Sequence, residues 1–256
     1  MDSYRSYIIC TTSRSGSTLL CKLLSQTGVA GEPNSYFHRP SVSSWASKFD
    51  LPRGASATQE EFLQAVVKAT RERGSAGTGV FGLRLMRKSF DFLMEQLDIL
   101  CPGLANDAER FEMAFGRTLY IHLTRSDKVA QAVSLIKASQ TGLWHLASDG
   151  SELERTAPPR PPSYNAGEIA RNVAELTAHD EEWVRWFERE RIDPVLVGYD
   201  VLSDDPKGTV AGILNRLGLD AAAAREISPG VAKLADETSR AWIERYRAEG
   251  AQGRTD

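Results

Sequence analysis

Residues 7–33, YIICTTSRSGSTLLCKLLSQTGVAGEP, carry the reading of the whole chain. The opening YIICTT is apolar and rich in β-formers, the pattern of a strand buried on both faces. From Ser17 onward the leucines fall at helical spacing and stop at Gly28, a helix terminator. Arg14, Ser15, Gly16, Ser17 and Thr18 form the turn between the two. In an open parallel sheet such a turn lies beyond the carboxyl end of its strand. The N–H groups of Ser15, Gly16, Ser17 and Thr18, with about half a positive charge from the helix dipole, favour an anion there. Gly16 lets the backbone approach the anion, and Arg14 adds a cation.

The same strand, turn and helix pattern recurs downstream. TQEEFLQAVVKATRERG is a helix with Thr58 as its N-cap and Gly74 at its end, and GVFGLRLM is a second strand. SFDFLMEQLDILCPG predicts a helix stopped by Pro102-Gly103. RTLYIHLTR predicts a third strand, running into the helix SDKVAQAVSLIKASQTG. A long helix spans residues 167–190, DPVLVGYDVL reads as a fourth strand, DDPKGTVAGILNRLG as a helix with Pro206 in its first turn, and SRAWIERYRAEG as a last helix. Two segments break the alternation. Residues 32–58, with Pro33, Pro40, Pro52 and many serines, read as a long surface excursion with room for a short helix, and residues 142–167, with TAPPRPPSYN, as an irregular flap. Strands alternating with helices imply an α/β domain: a central, mostly parallel sheet with helices on both faces, in three layers of P-loop-like character.

Composition narrows the function. The 256 residues carry 41% hydrophobic and 25% charged side chains and a net charge of −3, ordinary values for one folded domain and a poor footprint for nucleic acid or an anionic membrane. An anionic ligand must therefore meet a few focused cations. No apolar run is long enough to span a bilayer and the N-terminus has no export pattern, so the expected setting is cytoplasmic. Three cysteines, Cys10, Cys21 and Cys101, fit a reducing compartment without a disulfide framework, the first two as buried hydrophobes. His122, His145 and His179 have no neighbours at metal-ligand spacing, and no metal site is expected. Trp183 and Trp186 are expected as core or dimer contacts.

The first turn differs from a nucleotide triphosphatase loop, G-x-x-x-x-G-K-[ST]. With Gly16 at the second glycine, Thr11 occupies the first and Ser17 the lysine, and the third strand ends in Thr124-Arg125 without an acidic metal ligand. A metal-dependent small-molecule kinase and a non-catalytic nucleotide-binding protein are the alternatives to be tested. SGST alone is also compatible with a purely structural turn. The second landmark is HLTRSDKVAQAVS: Arg125 closes the third strand, and Ser134 lies on the next helix, a cation and a hydroxyl suited to a second phosphate.

Together these residues resemble the sulfotransferases that use 3′-phosphoadenosine 5′-phosphosulfate (PAPS). More closely, SRSGSTLL, TGVAGEP, GVFGLRLM, HLTRSDKVAQAVS, ASQTGLW and SRAWIERYR match, in order, the bacterial carbohydrate sulfotransferase family typified by mycobacterial trehalose 2-sulfotransferase. The resemblance implies a single sulfotransferase domain over residues 1–256, with acceptor loops at 31–58 and 142–167. It implies metal-independent transfer of a sulfuryl group from PAPS to a hydroxyl of a carbohydrate or glycolipid, by a homodimer without a membrane segment. Arg14, Ser15, Gly16, Ser17 and Thr18 correspond to the 5′-phosphosulfate loop, Arg125 and Ser134 to the 3′-phosphate site, and Tyr199 to the tyrosine near the adenine. Arg245 and Arg247 fall in a segment expected to close over the nucleotide. Glu32, Ser35, Arg84 and Trp144 are expected on the acceptor side. The family places an acidic residue three positions after the Glu of GEP; here that position is Ser35, which leaves Glu32 and His38 as candidate bases and puts trehalose itself in question.

Overall fold

The computed structural model describes residues 3–52, 58–147, 149–230 and 236–252. Strand β1 (Ser6–Thr11) leads through the turn into helix α1 (Ser17–Gln26). The short helix α2 (Val42–Ala46) follows, then a 3₁₀ turn (Ser47–Phe49), α3 (Gln59–Ser75), β2 (Phe81–Met86), α4 (Arg87–Leu100) and α5 (Asp107–Phe115). Strand β3 (Thr118–Thr124) and α6 (Lys128–Thr141) precede a hairpin of β4 (Leu143–Leu146) and β5 (Glu152–Arg155). The chain then runs through α7 (Ala166–Glu190), β6 (Val195–Gly198), α8 (Tyr199–Asp204), α9 (Pro206–Leu217) and α10 (Glu237–Gln252).

The main sheet has the order β2-β1-β3-β6, with every neighbouring pair parallel. The central β1 is buried along its whole length, and its alternate residues feed opposite cores. Ile8 and Cys10 pack with α3, α4, α5 and α7 on one face; Tyr7 and Ile9 pack with α1 and α9 on the other. A third cluster joins α6, α7 and α10 through Ile136, Ile169 and Trp242. This is the expected three-layer α/β arrangement. Local signals set several ends: Thr58 and Glu61 form a reciprocal capping box on α3, and Pro206 sits in the first turn of α9.

Five readings need correction. The excursion is not a surface segment: Tyr36, Phe37, Trp45 and Ala46 are buried in the α3–α4 core. Its aromatic residues are spaced irregularly, so no period revealed the buried face; residues 53–57 lie outside the described residues. The flap is not wholly irregular, because β4 and β5 pair antiparallel within it. The fourth strand stops at Gly198, and Tyr199 begins a helix instead of continuing in β conformation. Helix α5 was not foreseen, although Asn106 caps it and Phe111 and Phe115 anchor it. Trp183 and Trp186 both belong to the core, their indole N–H groups donating to the Thr11 carbonyl and to Asp107.

Candidate active site

The excursion is brought to the sheet by a short parallel extension. Asn34 bridges Leu83, the Asn34 carbonyl accepts from the Arg84 N–H, and Glu32 N–H donates to the Gly74 carbonyl. Gly31 turns the chain with φ +69°, where a Cβ would lie 2.4 Å from the Gly74 oxygen. The result is a cleft of about 770 Å³ over the carboxyl ends of β1, β2 and β3. From the sequence-derived set, Arg14, Gly16, Ser17, Thr18, Ser35, His38, Arg84, Arg125, Ser134, Trp144 and Tyr199 line it.

The turn is held open by its surroundings. Gly16 has φ +90°, and a Cβ there would sit 2.6 Å from the Tyr199 ring. Tyr199 is fixed in turn by Arg125, whose guanidinium lies 4.6 Å from the ring centroid. The N-terminus of α1 receives no side-chain cap, so its first N–H groups remain available to a ligand. Ser15 contributes only backbone, because its buried hydroxyl lies 2.6 Å from that of Thr11. Gln131 was missed by the sequence reading although it lies one helical turn before Ser134. Its buried amide donates to the Thr12 hydroxyl at 3.0 Å and to the Ser13 carbonyl at 2.7 Å, clamping the turn to α6. Asp180 on α7 completes the clamp, accepting from Thr12 and Lys128.

Arg14 adopts φ 64°, and its side chain crosses to the neighbouring elements. Its Nε donates to Ser134 Oγ at 2.9 Å and its Nη1 to the Trp144 carbonyl at 2.6 Å. Burial, with the nearby Arg125, lowers its pKa to about 10, so it stays protonated at neutral pH. Arg84 makes the matching bridge from β2: Nε donates to Ser35 Oγ at 2.8 Å and Nη1 to Thr18 Oγ1 at 2.7 Å. Thr18 Oγ1 also lies 3.1 Å from His145 Nε2, and Glu154 approaches the same nitrogen at 3.5 Å. Burial and the cations Arg14, Arg84 and Lys22 hold His145 at a pKa of about 4, so at neutral pH the imidazole is uncharged and its contact with Glu154 is not an ion pair. With Arg84 donating to Thr18, the Thr18 proton is free to point at His145 Nε2.

Other residues stand apart from the cleft. Glu32 faces Arg73 at 3.7 Å and is about half exposed. Arg245 pairs with Glu249 and covers the Tyr164 ring, and Arg247 pairs with Asp127 at the start of α6. From α10 it is Ser239 and Ile243 that reach the cleft. Glu154 is the one carboxylate lining it among the described residues, and no sequence signal had marked it. His38 is held at about 4 by burial and by Lys88, Lys48, Arg84 and Arg39. Among the described residues no three His, Cys, Asp or Glu side chains group as metal ligands, and no helix is long and apolar enough to cross a membrane.

Comparison with known proteins adds an independent observation. A family model described as Stf0 sulphotransferase matches residues 6–249. The trehalose 2-sulfotransferase of Mycobacterium tuberculosis (strain ATCC 35801 / TMC 107 / Erdman) is 31% identical over 267 residues, covering 96% of this chain and 95% of its own. That of Mycolicibacterium smegmatis (strain ATCC 700084 / mc(2)155) is 30% identical over 274 residues, covering 97% and 96%. A solved sulfotransferase from Alicyclobacillus acidocaldarius is 15% identical with a TM-score of 0.44, covering 97% of this chain and 93% of that one.

Proposed function

The chain belongs to the Stf0 sulphotransferase family, and we propose on that footing that this enzyme moves a sulfuryl group from PAPS to a hydroxyl of a carbohydrate or glycolipid. The observation that carries the reading is the convergence of Arg14, Thr18, Arg84, Arg125, Ser134 and Tyr199 on one cleft at the carboxyl end of a parallel sheet. The uncapped start of α1 and the left-handed Gly16 fit the 5′-phosphosulfate. Arg125, Ser134 and Tyr199 suit the 3′-phosphate and adenine. The kinase alternative is not favoured by the family.

In the transfer, a bond forms from the acceptor oxygen to sulfur while the bond from sulfur to the bridging 5′-phosphate oxygen breaks, the electron pair leaving with that oxygen. Arg14 and the loop N–H groups stabilise the charge that develops there. Arg84 and Thr18 orient the sulfuryl group from the β2 side. The acceptor proton needs a base. We assign this role to His145, with Glu154 placed to receive the imidazolium N–H, because Glu32 is turned towards Arg73 and His38 sits among four cations. An anion bound at Arg14 and Arg84 offsets the charges that depress His145 and so raises its basicity.

The proposal keeps the chain as one domain, with residues 31–58 and 142–167 forming the acceptor walls. It also includes a cytoplasmic homodimer, for which the exposed Leu196 and Val201 beside the sheet edge offer an apolar face; light scattering of the purified protein tests the dimer. For the chemistry, calorimetry with 3′-phosphoadenosine 5′-phosphate (PAP) should show binding at least tenfold tighter than AMP. Equal affinity would remove PAPS as the donor. His145→Gln should lower kcat by about 100-fold, the scale of a lost base, while the Kd for PAP stays within threefold. Unchanged kcat would exclude His145.

A further inference from the structure

The β2 side of the cleft carries charges that a neutral sugar does not require. Arg84 ends β2, Lys88 lies in the first turn of α4, Arg39 and His38 come from the excursion, and Lys48 from the 3₁₀ turn; all line the cleft. None of Arg39, Lys48, Arg84 and Lys88 forms an ion pair with a carboxylate among the described residues. Their neighbours outside the cleft are paired: Arg87 holds Glu182 and Asp91, and Arg73 holds Glu32. The cleft cations instead meet neutral groups. Lys48 donates to the carbonyls of Ser35 and Tyr36 at 2.7 and 2.8 Å, and Arg84 to two hydroxyls.

Uncompensated like charges in one cavity oppose folding, and a ligand of opposite sign relieves that repulsion. The crowding is visible in the titration of the group: burial and the neighbouring Arg84 and Arg39 draw Lys48 down to about 8. The donor does not account for these charges. In the order β2-β1-β3-β6 the donor groups gather around β1, β3 and β6, whereas Arg39, Lys48 and Lys88 stand beyond β2, on the outer wall where the acceptor enters.

Resting on the sulfotransferase reading, we propose that the acceptor is itself an anion: a sugar bearing a phosphate or carboxylate group that is held by Arg39, Lys48 and Lys88 while one of its hydroxyls is presented to Thr18 and Arg84. The transfer balances as before, and the acceptor's own charged group takes no part in bond making. Two walls then divide the work, with Arg14, Arg125 and Ser134 holding the nucleotide and the outer cations selecting the sugar.

The test is calorimetric titration of the PAP-saturated enzyme with glucose 6-phosphate, glucuronate, glucose and trehalose. The two anionic sugars should bind at least tenfold tighter than the neutral pair, and the phosphate and carboxylate arms identify which oxyanion is preferred. The double variant Lys48→Gln/Lys88→Gln should lose that preference while its Kd for PAP stays within twofold; Arg39→Gln, at an exposed position, gives a second variant if the first misfolds. Neutral sugars binding as tightly as the anionic ones, or no anionic sugar binding at all, would overturn the proposal. So would loss of PAP affinity in the double variant, which would return these cations to the donor. Failure of PAP itself to bind the native enzyme would instead remove the sulfotransferase reading on which the proposal rests.

Discussion

At the scale of the residue, the turn between β1 and α1 depends on what Gly16 lacks. Its φ of +90° is a conformation that costs an L-residue about 1–2 kcal/mol, and the nearest ring atom of Tyr199 leaves no room for a Cβ. Gly16→Ala should therefore lower stability by roughly 2 kcal/mol and weaken PAP binding at least tenfold as Tyr199 is displaced. Thermal melting and calorimetry check the two effects, and an unaltered melting temperature would show that the ring yields freely. The role of Gly16 was legible in SRSGST. That Ser15 turns its hydroxyl inward to Thr11 was not, since both serines of the turn are equivalent on paper and only the packing of β1 against β3 distinguishes them.

At the scale of the element, the hairpin β4–β5 and helix α6 do the most to shape the site. The hairpin brings Trp144, His145 and Glu154 over the loop, and α6 brings Gln131 and Ser134 beneath it. Helix α10 docks on α6 through Asp236, which accepts from Lys137 and from the backbone and hydroxyl of Ser239. Partial burial alone would raise the Asp236 pKa, but these bonds outweigh it and hold the carboxyl at about 2. A native pKa below the unfolded value of about 4 gives stability that is complete above that pH and is lost as pH falls towards 2. Asp236→Asn should thus melt about 2–4 °C lower than the native protein at pH 7, the scale of ~1 kcal/mol in a chain of this size. The gap should narrow below pH 4. A constant gap from pH 7 to pH 3 would mean that the carboxylate charge contributes nothing.

At the scale of the whole molecule, two cores clasp a four-stranded parallel sheet, and a small net negative charge coexists with a cationic cleft. The cores are not perfectly matched to their polar groups. Thr70 is fully buried on α3, and its hydroxyl has no hydrogen-bond partner among the described residues. Thr70→Val keeps the shape and removes a desolvated hydroxyl, so it should add about 1 kcal/mol and raise the melting temperature by about 2–4 °C. A drop on thermal melting would indicate that this hydroxyl is satisfied in solution.

Short-range order was open to reading from the chain alone. Strand β1 is a run of buried β-formers, Thr58 and Pro206 announce helix starts, and the Arg14–Thr18 turn follows its strand directly, so each signal lies within a few residues of the structure it produces. The family resemblance likewise named most of the cleft lining before any coordinates. What the chain alone left open was every partnership across long separations. Glu32 and Glu154 are both acidic residues in loops on paper; one meets Arg73 on the far end of α3, the other meets His145 across a hairpin in the cleft. Which cations find carboxylates, and which stand unpaired around a ligand, is settled by how helices and hairpins stack on the sheet, because charge compensation depends on distances of a few ångströms between segments far apart in sequence.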